Sequence, residues 1–303
     1  MTQYESQPGI LGAPPPLARS LTFRLHGDAD AAATLRAYVA TIPADWATVG
    51  VGEQLALRFG HAIEGLRTFP GISGPDATVP STQGALWVLL RGADHTEIYK
   101  REGSVRAALA SAFALDDARS LFFYDGGRDL SGFEDGTANP TGPDADAAAI
   151  VHASGSLDGS SFVAVQRWIH DLQRFAAFGP QQADAMIGRR LATNEEIADA
   201  PPSAHVKRTE QESFDPEAFL VRRSMPWSDG EEHGLEFIAF GDALDKFERM
   251  LRRMLDLDDG IVDALFMFSR PVTGGYYWCP PLRSGKLNLS ALGIEVEQGA
   301  LDP

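Results

Sequence analysis

One pattern recurs four times along the chain and constrains its fold more than any other feature: a short alternating apolar run, a polar turn, then a helix-like stretch. The copies are SLTFRLHGDADAAATLRAYV, ALWVLLRGADHTEIYKREGSVRAAL, SFVAVQRWIHDLQRFAAF and GLEFIAFGDALDKFERMLRRML. Their strand-like pieces favour β-branched and aromatic residues. Asp28, Asp94, Asp171 and Asp242 stand near the following helix starts, where a carboxylate caps free N–H groups and complements the dipole. Shorter strand-like runs lie at 120–125, 218–224 and 265–269. Two strand–helix units with a strand between them make a βαββαβ, ferredoxin-like unit. Four units therefore predict an α+β chain of two tandem ferredoxin-like domains with antiparallel sheets. Residues 1–19, with Pro14-Pro15-Pro16, read as a mobile lead. The N-terminal domain then covers 20–145 and the C-terminal domain 146–303, joined through the Pro/Gly/Asp-rich stretch 139–148.

Composition narrows the partners. Among 303 residues, 26 Lys+Arg against 42 Asp+Glu give a net charge of −16. Such a surface repels phosphate backbones, so nucleic acid is not an expected partner. The single cysteine, Cys279, excludes an internal disulfide and every multi-cysteine metal site. No apolar run approaches the ~18 residues that cross a bilayer. The first twenty residues show no basic, apolar or twin-arginine leader, so the expectation is a cytoplasmic protein without membrane contact.

The stretch that stands out chemically is Ser131-Gly132-Phe133-Glu134-Asp135-Gly136-Thr137-Ala138-Asn139-Pro140. Its glycines permit positive φ and a close backbone approach to a ligand, and its N–H groups suit an anion nest beside Asp135. Asp-Gly is equally a common turn dipeptide. His205 sits in a polar loop after Pro201-Pro202, and seventeen residues on comes Leu220-Val221-Arg222-Arg223-Ser224-Met225-Pro226-Trp227. Strand alternation puts Leu220, Arg222 and Ser224 on one face and Arg223 on the other. An arginine on a strand face in apolar surroundings calls for an anionic partner.

Taken in order, GFEDGTANP, AHVKR, VRRSMPW, GLEFIAF and PVTGGYYWCPP resemble the dye-decolorising haem peroxidases, most closely the compact bacterial cytoplasmic B or P type. The likeness runs from about Leu21 to Pro281 and implies a dimeric α+β barrel-like architecture. It implies one non-covalent haem b per chain, H2O2 reduced through a ferryl intermediate, and dyes, phenolics or other one-electron donors oxidised, best on the acid side of neutral. It assigns His205 as the iron ligand and Asp263 as the carboxylate behind it. Asp135 becomes the proton shuttle, and Arg222 the charge that holds Asp135 deprotonated and stabilises developing negative charge. Leu235 and Phe237 become the apolar lining. Gly136, Thr137, Asn139 and Arg189 supply hydrogen bonds to the propionates.

One departure matters: many relatives carry Arg-Asp-Asn before Met-Pro, whereas this chain has Arg222-Arg223-Ser224, with Ser224 in the pocket-ordering position. The resemblance also suggests a homo-oligomer. Packaging in an encapsulin shell would draw on the tail at 287–295, although LNLSALGIE equally suits a final strand or helix. The rivals are a haem-handling, deferrochelatase-like protein and a cargo or binding module with little peroxidase activity. Cys279-Pro280 reads as a small hydrophobe in an aromatic run rather than a thiolate ligand.

Overall fold

A computed structural model describes residues 4–27 and 30–296. Its main sheet has ten strands, all paired antiparallel. In spatial order the path runs Phe113–Phe122, Leu17–Leu25, Leu86–Gly92, Ala47–Val51, Gly275–Cys279, Ser161–His170, Glu232–Gly241 and Val221–Arg222. Each half therefore follows the order 4-1-3-2 in its own strands, as a βαββαβ unit does. The halves meet edge to edge through Trp278 opposite Val51. Ser269–Pro271 and Met225–Asp229 pair onto the second half off this path.

The sheet curls without closing into a barrel. Side chains link its first edge strand to the second half: Arg167 on Ser161–His170 reaches Asp117 on the Phe113–Phe122 strand at 2.5 Å, and Arg119 on that edge strand reaches Asp229 on Met225–Asp229 at 2.6 Å. Arg167 also binds buried Glu236 at 3.0 Å, whose other oxygen accepts the Ser20 hydroxyl at 2.9 Å. Trp227 lies beneath both arginines, with Arg119 4.7 Å from its ring centre.

Period-two alternation on the central strand decides what each face does. In Ser161–His170, Val163 and Val165 point into the core between the halves, with Trp87, Tyr277 and Phe240. Phe162 and Ala164 point into the larger helix-covered core, and Gln166, Trp168 and His170 continue that second face into a cavity. Ala31–Thr41 and His95–Leu109 cover the first half, and Leu244–Met254 covers the second.

Asp94 and Asp171 cap as expected, accepting from Glu97 N and Arg174 N at 2.9 and 2.8 Å. The first cap is Asp30, which accepts from Ala33 N, while Asp28 lies outside the described residues. Asp242 does not cap; it pairs with Lys246 at 2.7 Å, one turn into the next helix. Two further expectations are corrected here. Residues 139–148 are not all loop, because Gly142–Ala149 is a helix that buries Ala145, Ala148 and Ala149. The run at 265–269 is mostly the 3-10 helix Ala264–Met267, and the fourth strand of this half is Gly275–Cys279.

The described part of the lead is packed rather than mobile. Pro8–Leu11 is helical, Leu17 already opens a strand, and Gln7 is fully buried. The Gln7 amide donates to the Val49 and Pro280 carbonyls and accepts from Val49 N, so it stitches together the edge where the halves meet. Gln7→Ala leaves buried backbone groups unpaired and is expected to destabilise the chain by roughly 2–3 kcal/mol. A chemical-denaturation midpoint equal to the parent's would show that the lead is dispensable.

Candidate active site

The helix-side face of the second half opens into a cavity of about 880 Å³. Its floor is the two adjacent strands Ser161–His170 and Glu232–Gly241. On the second, Leu235 and Phe237 face the cavity, while Glu236 and Ile238 are buried on the other face. Its roof is the Leu244–Met254 helix, which places Phe247, Met250, Leu251 and Met254 along one stripe at i, i+3, i+4 and i+7. Into this apolar chamber project His205, Asp135 and Arg222.

His205 opens the short helix His205–Thr209. Its Nδ1 lies 2.8 Å from Asp263 Oδ2, and Asp263 is wholly buried with its other oxygen accepting from Leu265 N. An imidazole that gives its Nδ1 proton to a carboxylate keeps a lone pair on Nε2, the arrangement that orients a metal-binding histidine and raises its basicity. The sequence-based pairing of His205 with Asp263 is thus present in the structure.

Arg222 is held at its backbone. The Asn139 side chain accepts from Arg222 N at 2.9 Å and donates to Arg222 O at 3.0 Å, extending the ladder where the strand runs out. The closeness of this clamp explains Gly136: at φ +77° a Cβ there would meet Asn139 Nδ2 at 2.9 Å. Arg222 Nε is buried with no hydrogen-bond partner. An unspent donor at a cavity wall suits an anionic ligand.

Burial pushes the Asp135 carboxyl above its usual range; Arg222 pulls it down, Asp129 adds to the rise, and the Gly136 N–H and His205 oppose it. Desolvation therefore outweighs the arginine, which acts in the expected direction by favouring the ionised form.

Other expected residues are placed differently. Arg223 does point away from the cavity, giving its guanidinium to Leu11 O and Arg222 O. Ser224 does not line the main cavity, because the strand breaks after residue 222 and its hydroxyl accepts from Ile238 N at 3.3 Å; it lines an adjoining polar mouth with Arg222 and Asp135. Asn139 is committed to Arg222's backbone and lines an adjoining polar mouth with Gly136 and Thr137. Arg189 lines a second mouth that shares His205, Asp135 and Arg222 with the main cavity, and it is paired there with Glu196 at 3.2 Å. Thr137 Oγ1 accepts from Asn194. Cys279 is fully buried with burial pushing its thiol up, which suits a hydrophobe and not a thiolate. Leu287, Leu289, Leu292 and Ile294, from the segment considered as a packaging tail, are buried in this chain's own core.

Sequence reading missed a second histidine at the wall. His170 Nε2 lies 3.0 Å from Asp129 Oδ1, and its Nδ1 lies 2.7 Å from Ser269 Oγ. All three line the cavity. The signal was faint: strand alternation from Gln166 through Trp168 places His170 on that face.

A cavity walled by apolar and aromatic residues, with two carboxylate-backed histidines and with Asp135 and Arg222 on its wall, has the lining and donor set that suit a large flat cofactor with a histidine-ligated metal. The chain belongs to the dye-decolorising peroxidase family: the family described as Dyp-type peroxidase, C-terminal, matches residues 126–284. A dye-decolorizing peroxidase of Mycobacterium tuberculosis is 32% identical over 225 residues, covering 72% of this chain and 67% of that protein. One from Mycolicibacterium paratuberculosis, at 32%, is covered to 63% of its length. Among solved structures, a dye-decolorizing protein from V. cholerae superposes with TM-score 0.84 at 26% identity, covering 96% of this chain and all of that one. A DypB variant from Rhodococcus jostii RHA1, in complex with heme, gives TM-score 0.80 at 28% identity and covers 89% and 94%.

Proposed function

We propose that this chain binds one non-covalent haem b in the cavity and uses it to reduce hydrogen peroxide while oxidising dyes, phenolics or other one-electron donors. The observation that carries this reading is His205: its Nδ1 is committed to buried Asp263 and its ring lines the same cavity as Asp135 and Arg222. His205 Nε2 would hold the iron. Leu235, Phe237 and the Phe247–Met254 stripe would cover the porphyrin faces and exclude water. Arg189 and Thr137, in the polar mouths, would meet the propionates. When bound, haem supplies the two-electron reduction of peroxide and the single-electron return from donors.

The chain's own residues manage protons and charge. Asp135, once ionised, accepts a proton from one peroxide oxygen and returns it to the other, so that water can leave. Arg222, with an unspent guanidinium donor, stabilises the negative charge that builds as the O–O bond lengthens. Because burial raises Asp135, its ionised fraction grows as pH rises through the raised midpoint, and the peroxide step accelerates in that direction.

On this reading the ligand comes from the unit at 146–303, while Asp135 comes from the end of the unit at 20–145. No helix among the described residues is long and apolar enough to cross a membrane. A cytoplasmic setting and a homo-oligomer complete the proposal and rest on the likeness to the family's compact bacterial members. Titrating haem into the purified protein tests the cofactor: saturation at one equivalent per chain, with a histidine-ligated ferric spectrum, is expected. Absence of a saturable site would contradict it.

A further inference from the structure

Behind the part of the cavity wall formed by His170, Phe268 and Ser269 lies an outer pocket of about 940 Å³, lined by Asp171, Arg174, Glu231, His233 and Arg270 among others. It shares no lining residue with either mouth. It shares three with the main cavity, Phe268, Ser269 and His170, and the two polar ones are hydrogen-bonded to each other. His170 then bonds Asp129, which lines the cavity together with Asp135. A continuous chain of three polar side chains thus crosses an otherwise apolar wall. Ser269 and His170 are 2% and 6% exposed, so little bulk water reaches them directly.

Reducing a peroxide to two waters takes up two protons along with two electrons, and the site's apolar floor and roof offer few carriers. We propose that Ser269, His170 and Asp129 form a proton relay from the outer pocket to the carboxylates at the site, independent of the mouths where propionates and donor would sit. The inference rests on the haem-site reading and goes beyond it.

The hydrogen bonds give the relay a direction. Asp129 Oδ2 accepts from Ser131 N at 2.7 Å. Burial would raise the Asp129 carboxyl, but the hydrogen bonds from His170 and Ser131 oppose it, and the carboxyl is held below the usual range. An ionised Asp129 only accepts, so the His170 proton sits on Nε2 and neutral Nδ1 accepts the Ser269 hydroxyl. In the transfer one proton reaches Nδ1 through that hydroxyl as one leaves Nε2 for Asp129, and the ring then returns to its first tautomer. Electron count and net charge of the ring are unchanged over the cycle. The charged groups around the path are Asp129, Asp135 and Arg222 on the cavity side, and Asp171, Arg174, Glu231, His233 and Arg270 on the outer side.

Two measurements test it. Side-chain nitrogen NMR of His170 in the ligand-free protein is expected to show an Nε2–H tautomer with Nδ1 as acceptor. In haem-loaded protein, His170→Gln and Ser269→Ala are each expected to slow donor-saturated peroxide turnover at least fivefold. Added acetate should then restore the rate in the variants while leaving the parent unchanged. An Nδ1–H tautomer, variants as fast as the parent, or slow variants that acetate does not rescue would overturn the relay. Because the tautomer is read without haem, failure to bind haem and failure of the relay give different results.

Discussion

Arg222→Leu is expected to slow the reaction of the haem-loaded protein with peroxide by more than tenfold, read by stopped-flow absorption. Two separable losses add up in that number. The first is the charge itself: removing one preorganised donor aimed at developing negative charge costs about 3 kcal/mol, regardless of pH. The second acts through Asp135. Arg222 is the strongest influence pulling that carboxyl down against burial, so its removal moves the Asp135 midpoint further up. Below the new midpoint less Asp135 is ionised, so the defect is largest at acid pH and shrinks toward a constant remainder as pH rises. A rate equal to the parent's across pH would remove Arg222 from the chemistry. A defect independent of pH would leave the charge role and cancel the coupling to Asp135. Backbone damage is not expected to confuse the result, because Asn139 holds residue 222 by its main-chain N–H and C=O.

His205→Ala is expected to have the larger effect, abolishing histidine-ligated ferric haem. The apolar lining can still retain some porphyrin, so the diagnostic is the ligand-dependent spectrum and not the amount bound. The variant has a structural cost too, since buried Asp263 loses the partner at 2.8 Å and is left as an uncompensated acid. The double variant His205→Ala/Asp263→Ala separates the two effects. It should recover much of the lost denaturation midpoint and none of the haem spectrum. An unchanged Soret band in either variant would mean that His205 is not the ligand.

Much of this site was legible because it rests on short-range pattern. The four strand–helix units, the 131–140 loop and the spacing from His205 to Arg222 are local features, and alternation correctly turned Arg223 away from the cavity. What escaped reading has physical causes. Gly275–Cys279 is buried on both faces, so it shows no alternation, and the nearby 3-10 turn carried an apolar run that imitated a strand. Ser224 went astray because alternation presumes an unbroken strand, whereas the ladder at residues 223–224 is completed by a side-chain hydroxyl. The lead looked loose because its anchor is a polar residue, Gln7, whose partners lie 42 and 273 positions away. The ionisation of Asp135 depends on how much protein surrounds it, which no spacing reveals. The His170 chain joins residues 129, 170 and 269, a contact made only by the fold.

The most direct test of the central claim is an absorption spectrum of the protein purified with added haem, recorded before and after one equivalent of H2O2. The account predicts a ferric Soret band that converts within milliseconds to that of a two-electron-oxidised haem and returns in single-electron steps when a phenolic donor is added. Haem that binds but stays unchanged by peroxide would contradict the peroxidase reading and favour a haem-handling role. A protein that binds no haem would contradict the roles given to His205, Asp135 and Arg222 together.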